Sequence, residues 1–164
     1  MGTSATRATL LLSSAGVAYE VRAYETAAGR ADGRHDYGAE AAAALGVPRS
    51  TVFKTLVVEA GRGTVLALVP VDRQLDPKAL ASVVGARTAA LVEPSTAERV
   101  TGYVVGGISP LAPKRQMPAV VDETALAHER IHVSAGRRGL QIVIAPSDLV
   151  RVLGARIAAI SRDG

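Results

Sequence analysis

Residues 50–72 constrain the fold of this chain more than any other segment, because two long apolar runs lie there on either side of a tight turn. The runs read "STVFKTLVVEA" and "TVLALVPVD", and the turn between them reads "GRG". Aliphatic and β-branched residues dominate both runs, and a glycine-containing turn between two such runs is typical of a β-hairpin. The sequence therefore predicts two long antiparallel strands, around which the rest of the chain must build a sheet.

Shorter elements flank this hairpin. Asp76 followed by Pro77 indicates the start of a helix, and Gly85 indicates its end. Short strands between short helices favour a mixed sheet of the α+β type, in a single domain over 1–164. The remaining patterns predict helices over 4–15 and 38–46 and strands over 18–24, 87–93, 118–122, 130–135 and 139–145, with a polar loop from the first strand to about Asp36.

Composition excludes several classes of protein. The 164 residues are 48% hydrophobic but only 3% aromatic, so the predicted core is built from Val, Leu, Ile and Ala. The chain has no cysteine, which excludes disulfides, thiolate metal sites and a cysteine nucleophile of its own. No apolar run approaches the roughly 18 residues of a membrane span, and the short run "ATLLLSSAGVA" is interpreted as part of the first helix rather than a signal peptide. We expect a cytoplasmic protein without a membrane partner.

Positive charge is concentrated in the last third of the chain. The net charge is +4, of which residues 101–164 contribute +3 (8 basic minus 5 acidic) and residues 1–100 contribute +1 (11 minus 10). Such an asymmetry suits a phosphate-bearing partner. An arginine-rich surface without any partner has the same composition, so charge alone leaves both interpretations open.

The segment "HERIH" (128–132) satisfies the H-E-x-x-H pattern of zinc peptidases. That chemistry requires both histidines on one face of a helix, with the glutamate as general base. Here Ile131 and Val133 alternate with His132, which predicts that His132 begins a strand while His128 ends a helix. We therefore expect no metal at this motif and no metal or other cofactor in the protein.

Lys54 lies within the first strand of the hairpin, on the strand face that also carries Val52, Leu56 and Val58. A lysine on an apolar face either extends to the edge or occupies a pocket, where its ammonium must be paired or its pKa must fall. The chain has 16 arginines and only 3 lysines, so a lysine inside a strand suggests a specific need for a compact charge. The pattern alone leaves both placements open.

Two glycine-rich segments lie in the basic third of the chain. "TGYVVGGISPLAPKR" (101–115) interrupts an apolar stretch with three glycines and two prolines, and such a loop can aim main-chain N–H groups at a ligand. In "VSAGRRG" (133–139), Arg137 and Arg138 stand between two glycines, which suits an anion site but equally suits an ordinary hairpin turn. Neither is a P-loop, and no histidine has a clear reason to lie beside Ser109 or Ser134.

Together, four segments of this chain resemble the YbaK/EbsC family, the freestanding relatives of the editing domain of bacterial prolyl-tRNA synthetase. They are "YGAEAAAALGV" (37–47), "FKTL" (53–56), "TGYVVGGISPLAPKR" (101–115) and "IHVSAGRRGLQIVIAPSDLVRVLGA" (131–155). The resemblance implies a mixed, largely antiparallel, strongly curved sheet flanked by short helices. One departure is Ala112, where the family often has glycine, which puts the course of that loop in question.

The resemblance also implies a function, the removal of cysteine from mischarged Cys-tRNA(Pro) in trans to prolyl-tRNA synthetase. It leaves open whether Cys-tRNA(Cys) is a second substrate. It implies that the substrate's own thiol attacks the ester, so no enzyme nucleophile is needed. The residues that it assigns are Lys54, Gly106 and Gly107 to catalysis, and Tyr24, Ile108, Ser109, Ser134, Arg137 and Arg138 to binding the aminoacyl 3′ end of tRNA.

Three alternatives remain at this stage. One is an Ala-tRNA(Pro) deacylase that uses bound water, and another is a non-catalytic module that binds tRNA or a synthetase. The third is the zinc peptidase indicated by the histidine motif. Relative rates on differently charged tRNAs, binding without hydrolysis and metal content would distinguish them.

Overall fold

A computed structural model describes residues 5–26 and 35–164. Five α-helices lie in these ranges: α1 (Arg7–Ser14), α2 (Tyr37–Leu45), α3 (Pro77–Val84), α4 (Pro94–Thr101) and α5 (Pro146–Leu153). Ten strands accompany them: β1 (Glu20–Ala23), β2 (Phe53–Ala60), β3 (Gly63–Pro70), β4 (Arg73–Leu75), β5 (Ala89–Leu91), β6 (Ala119–Asp122), β7 (Ile131–Ser134), β8 (Leu140–Ile144), β9 (Arg156–Ala158) and β10 (Ser161–Asp163). Two short 3-10 helices cover Arg49–Thr51 and Glu123–Ala127. None of the helices described is long and apolar enough to cross a membrane.

The helix boundaries follow from local side-chain chemistry. The Asp36 and Asp76 carboxylates accept hydrogen bonds from the free amides of the first turns of α2 and α3. Gly85 ends α3 in the left-handed conformation, at φ 74°, which a glycine adopts without steric strain. The predicted helix from Asp76–Pro77 to Gly85 is therefore confirmed. The first residue of the helix predicted over 4–15, and most of the loop predicted before Asp36, lie outside the described residues.

The predicted hairpin is confirmed over its whole length, with Phe53 opposite Pro70 and Ala60 opposite Gly63. It forms the centre of a five-stranded sheet in the order β5-β2-β3-β6-β9, in which β6 runs parallel to both β3 and β9. The second sheet has the order β1-β8-β7 and the third pairs β4 with β10, all antiparallel. The predicted mixed and largely antiparallel pairing is confirmed.

The implied single, strongly curved sheet is not supported. The described strands form three separate sheets, and none of these closes on itself. Between the two larger sheets there is one point of pairing, a parallel bridge between Val52 and His132. Beyond that bridge β2 and β7 separate, because β7 continues into its hairpin with β8 while β2 continues along β3. The gap that opens between them is where the candidate site lies.

Strand β2 has a hydrophobic cluster on each side. Phe53 and Val57 belong to a cluster with the interior residues of β7, β8, α1 and α5, whereas Val58 belongs to a second cluster that includes Leu80 of α3. Sequence patterns missed α4 and the three-residue strands β4 and β10. Helix α4 buries only Ala97, Val100 and Thr101, which is too sparse a stripe to produce a clear helical period.

Candidate active site

A cavity of about 480 Å³ occupies the gap between the two larger sheets. It has the size usual for small-molecule sites, which occupy roughly 300–1,000 Å³. Strand β2 forms one wall, and the start of α2 and the glycine loop form the others. The lining residues are His35, Asp36, Tyr37, Gly38, Val52, Phe53, Lys54, Thr55, Leu56, Val57, Leu91, Val92, Ala97, Val105, Gly106, Ile108, Ser134 and Gln141.

Lys54 lies in this wall, half-buried, which favours the pocket placement over an extended one. Burial lowers the pKa of its ammonium, and the nearby Asp36 carboxylate offsets part of that shift. The effect of burial is the larger of the two, and the Asp36 carboxylate also caps α2 by accepting from the Ala39 amide at 2.9 Å. The result is a partly desolvated cation that faces a cavity large enough for a ligand, as an anion- or ester-binding group requires.

The glycine loop forms a tight turn beside Lys54. The Gly107 N–H donates to the Val104 carbonyl at 2.8 Å, and Gly106 takes φ 90° at the third position of the turn. That positive φ is the requirement of a type II turn. Gly106 lines the cavity, whereas the Gly107 N–H is already used inside the turn. Of the two glycines expected to bind the ester through their N–H groups, only Gly106 therefore has that group available at the cavity.

Gly107 has a packing role instead. A Cβ at this position would lie 2.7 Å from the Arg137 Cα and 2.8 Å from the Arg138 nitrogen. Only glycine allows the 133–139 turn to approach the loop this closely. The two glycine-rich segments singled out in the sequence thus pack directly against each other beside the cavity, which Gly106 and Ser134 line.

Arg138 fastens this loop rather than projecting into solvent. Its Nε donates to the Val105 carbonyl at 2.8 Å, and its guanidinium lies 4.8 Å from the centre of the Tyr37 ring. A Cβ on Gly106 would lie 2.7 Å from the Tyr37 ring and 2.9 Å from the Arg138 Nε, so the glycine makes room for this stack. The predicted contact of Arg138 with the tRNA backbone gains no support from this geometry. Arg137, in contrast, is exposed.

Ser134 and Gln141 are cross-strand neighbours on β7 and β8, and both line the cavity. The Ser134 Oγ accepts from the Gly136 amide at 3.1 Å, which leaves its own proton for another partner. The Gln141 side-chain amide donates a hydrogen bond to the Tyr24 phenol oxygen, which lowers the pKa of Tyr24. Burial has the larger effect and raises that pKa, so the phenol keeps its proton at physiological pH. Tyr24 does not itself line the cavity.

The two remaining predicted residues, Ile108 and Ser109, have different positions. Ile108 lines the cavity, whereas Ser109 is completely buried and its Oγ accepts from the Leu111 amide at 3.2 Å. Ser109 is therefore placed as an internal support of the loop, which corrects its assignment to substrate contact. The position of a hydroxyl in a glycine- and proline-rich loop does not reveal whether it faces inward.

Sequence reasoning missed several residues of the wall, among them His35, Tyr37, Thr55 and Gln141. Gln141 carried a usable signal, because it is a polar residue inside the apolar run "LQIVIA". His35 carried none, since its loop has no periodic pattern. In the structure the His35 Nε2 lies 3.2 Å from the Glu40 Oε1, and its ring packs edge-on against Tyr37.

The histidine motif has the predicted geometry. His128 ends the 3-10 helix Glu123–Ala127, and His132 lies buried in β7. Burial lowers the pKa of His132. The two histidines therefore do not share a helix face, as zinc peptidase chemistry would require. Across residues 5–26 and 35–164, no three histidine or acidic side chains are grouped closely enough to hold a metal ion.

The pattern that defines the aminoacyl-tRNA editing domain matches residues 33–152, which contain every residue of the cavity wall. The chain belongs to this family. The YbaK/EbsC resemblance of the sequence is thereby confirmed. Over 121 residues the editing domain is 36% identical to the Enterococcus faecalis protein named "Putative Cys-tRNA(Pro)/Cys-tRNA(Cys) deacylase EbsC", covering 73% of this chain and 74% of that protein.

A further relative and two solved structures are also similar to this chain. The editing domain is 29% identical over 89 residues to the Escherichia coli "Multifunctional Ser/Thr-tRNA deacylase ProXp-y", covering 54% of this chain and 53% of that one. It superposes on the crystal structure of "a putative trans-editing enzyme for prolyl tRNA synthetase" with a TM-score of 0.80 and 25% identity, covering 95% of both chains. The crystal structure of hypothetical protein APE2540 gives a TM-score of 0.85 and 26% identity, over 96% of this chain and all of that one.

Proposed function

We propose that this editing domain removes cysteine from mischarged Cys-tRNA(Pro) in trans. Deacylation of aminoacyl-tRNA is the activity named for its relatives in Enterococcus faecalis and Escherichia coli. The observation that carries the proposal is the half-buried Lys54 ammonium in the wall of a cavity that Gly106 also lines. A cation and a glycine turn at one cavity suit an acyl ester attached to a nucleotide.

The proposed chemistry needs no nucleophile from the protein. The substrate thiolate attacks its own ester carbonyl, the bond from that carbon to the ribose oxygen breaks, and the proton from the thiol goes to the released ribose hydroxyl. The product is a cyclic thioester, which water then opens to cysteine. This route suits a chain without cysteine. The protein contributes orientation and electrostatic stabilisation, which are worth many kcal/mol in a site with fixed dipoles.

Each residue of the site has a proposed role. Lys54 binds the terminal phosphate or ribose, and the Gly106 N–H donates to the ester carbonyl. Ser134 donates its free hydroxyl proton to the substrate, Ile108 supplies apolar contact, and Tyr24 acts through Gln141. Arg137 contacts the tRNA backbone from the exposed turn.

A water-dependent deacylase, acting on Ala-tRNA(Pro), is a second candidate. The observation in its favour is His35, whose imidazole lines the cavity and pairs with Glu40 in an arrangement that suits a general base. A pocket that separates substrates by one methylene gains only about 1–3 kcal/mol. The thiol route separates cysteine from alanine by reactivity instead, and on that ground we favour it.

The test is single-turnover hydrolysis of Cys-tRNA(Pro), Ser-tRNA(Pro) and Ala-tRNA(Pro). We expect fast loss of cysteine alone, and a strong reduction in Lys54→Ala. Equal rates on the serine-charged tRNA would contradict the thiol route, and preferential loss of alanine would establish the water route. Tight binding without hydrolysis of any of the three would indicate a binding module.

A further inference from the structure

Six consecutive residues of the chain, 52–57, line the cavity. Side chains alternate between the two faces of a strand, so a cavity on one face would contact every second residue. Contact with all six means that the cavity lies along the edge of β2. At a strand edge the main-chain N–H and C=O groups themselves form part of the wall.

The hydrogen-bond pattern identifies which main-chain groups face the cavity. The Val71 N–H donates to the Val52 carbonyl at 2.8 Å, and antiparallel pairs alternate between bonded and non-bonded. Lys54 and Leu56 therefore bond toward β3, and Thr55 directs its N–H and C=O away from β3. The same alternation places the Val57 carbonyl on the outer side, where it accepts from the Val92 N–H at 3.1 Å.

Thr55 has no strand partner on this outer side. Strand β5 pairs with β2 at Val58–Ala60, Val92 extends this contact to the Val57 carbonyl, and the bridge to β7 lies at Val52. Between them, in the part of the chain that the structure describes, the edge of β2 is open. The open stretch is centred on Thr55 and faces the cavity.

On the strands that form this wall, two side-chain atoms also lack hydrogen-bond partners. The Thr55 Oγ1 and the Gln141 Oε1 are buried without a hydrogen-bond partner, and the Gln141 side chain belongs to a residue only 6% exposed. A polar atom that is buried without a hydrogen bond destabilises a protein, so such atoms call for an explanation. Their position beside an open strand edge points to a ligand with its own donors and acceptors.

We propose that the aminoacyl group of the substrate binds as a one-residue strand against the open edge of β2 at Thr55. This rests on the proposed function, since it assumes an α-amino ester as the ligand. The α-ammonium donates to the Thr55 carbonyl, and the ester carbonyl accepts from the Thr55 N–H. One residue of an antiparallel partner makes the same two bonds, because its N–H and C=O flank a single Cα.

This binding mode supplies a second main-chain hydrogen-bond donor, which the glycine loop does not offer. The Gly107 amide is engaged by Val104, so Thr55 provides another main-chain donor for the ester oxygen beside Gly106. It also places the substrate side chain, because directly opposite residues of an antiparallel pair have Cβ atoms about 4.5–5.5 Å apart on the same face. The thiol or hydroxyl of the amino acid then lies beside the unpaired Thr55 Oγ1. Thr55 is therefore a specificity-determining residue as well as a main-chain contact.

The first test is NMR titration of the ¹⁵N-labelled protein with a non-hydrolysable probe, 3′-(L-seryl)amino-3′-deoxyadenosine. We expect the Thr55 amide proton to shift downfield and to become protected from exchange. The matched probe with an α-hydrogen in place of the amine lacks the ammonium, and we expect at least about tenfold weaker binding, as for a lost charged hydrogen bond. An unmoved Thr55 amide, or equal affinity for both probes, would overturn the proposal.

The second test is Thr55→Val, which keeps both main-chain groups and removes only the hydroxyl. We expect the affinity for the seryl probe to fall about five- to tenfold, the effect of one lost hydrogen bond, and the affinity for the matching alanyl probe to stay unchanged. Thr64→Val, on β3 and outside the wall of this cavity, is the matched control. Equal loss for both probes, or no loss, would contradict the placement of the substrate side chain.

These binding measurements separate the two proposals. Hydrolysis of Cys-tRNA(Pro) with no response at Thr55 would refute the strand-edge mode and leave the proposed function standing. A response at Thr55 in a protein that hydrolyses no aminoacyl-tRNA would support the edge as the binding site and refute the enzymatic function.

Discussion

Lys54 combines burial with charge, and this gives its function a particular pH dependence. Burial lowers the pKa of its ammonium, so Lys54 loses its proton at a lower pH than an exposed lysine does. We expect the affinity for an adenosine 3′-aminoacyl probe that carries a 5′-phosphate to fall as pH rises through that lowered pKa. In Lys54→Arg the charge persists, so its affinity should not fall over the same range. Titration calorimetry at several pH values measures this, and identical profiles for the two proteins would contradict the role of Lys54.

The same burial predicts a conflict between function and stability. Because the folded pKa lies below the unfolded value, the charged Lys54 destabilises the fold at every pH below the folded pKa, and the penalty is relieved as pH rises through it. Lys54→Met should therefore raise the melting temperature at pH 7, with a smaller gain near pH 10. Hydrolysis should fall by about 10- to 100-fold, as expected for one charged hydrogen bond. A melting temperature below that of the native protein at pH 7 would show that Lys54 is a stabilising residue.

Single residues differed in how far the sequence revealed them. Lys54 was predictable because a lysine on an apolar strand face in an arginine-rich chain is conspicuous. The engagement of Gly107 and the inward position of Ser109 were not, because both depend on which groups a turn closes upon itself. The role proposed for Thr55 could not be inferred from the sequence, for a different reason. Its contribution comes from the main chain at an open edge, which every residue type presents equally.

At the scale of elements, the adjacent arginines of the 133–139 turn have opposite surroundings. Arg138 bonds to Val105 and stacks on Tyr37, whereas Arg137 is exposed. Arg137→Gln and Arg138→Gln remove the same charge, so they form a matched pair. We expect Arg137→Gln to weaken tRNA binding in a salt-dependent manner, reducing the slope of log K against log salt by about 0.7–0.9 for one lost phosphate contact. Arg138→Gln should leave that slope unchanged and reduce the rate at saturating tRNA by about tenfold or more, because the loop loses a charged hydrogen bond.

Filter binding at several salt concentrations and single-turnover kinetics measure these two effects. Similar salt slopes for both variants, both lower than that of the native protein, would return Arg138 to the role that the sequence suggested. Unchanged kinetics in Arg138→Gln would show that the loop keeps its conformation without the stack on Tyr37.

The loop after the glycines contains Ala112, where the family that the sequence resembles often has glycine. Its φ is 52°, so an alanine occupies the left-handed conformation that a glycine adopts freely. The course of the loop is held by its carbonyls, which accept from the Tyr103 hydroxyl at 2.7 Å (Leu111) and from the Arg7 Nε at 3.2 Å (Ala112). We expect Ala112→Gly to stabilise the protein by about 0.5–1 kcal/mol, since relief of strain exceeds the entropy of a freer unfolded chain. Urea unfolding measures this, and a loss of stability would show that the alanine methyl makes a needed contact.

Helices and strands were predictable where residues close together in the sequence determine them. The hairpin and the helix that begins at Asp76 follow from short-range patterns of apolar residues, turns and caps. The division into three sheets does not, because the bridge that joins the larger two connects Val52 with His132, 80 positions apart. No pattern in either segment records that β2 and β7 separate after one pair. The cavity exists because of that separation, so its shape was outside what the sequence could predict.

At the scale of the whole molecule, the cavity is too small to recognise which tRNA carries the amino acid. Its volume of about 480 Å³ suits the aminoacyl group and part of the terminal nucleoside, and the net charge of +4 suits few phosphate contacts. The chain by itself should therefore distinguish the amino acid but not the tRNA. We expect single-turnover rates on Cys-tRNA(Pro) and Cys-tRNA(Cys) to agree within about threefold, which is below 1 kcal/mol of discrimination. Adding prolyl-tRNA synthetase should shift the ratio toward Cys-tRNA(Pro), because the synthetase binds only that tRNA tightly. A strong preference without the synthetase would require a tRNA-reading surface on this chain, and the arginines of residues 101–164 would be the first place to look for it.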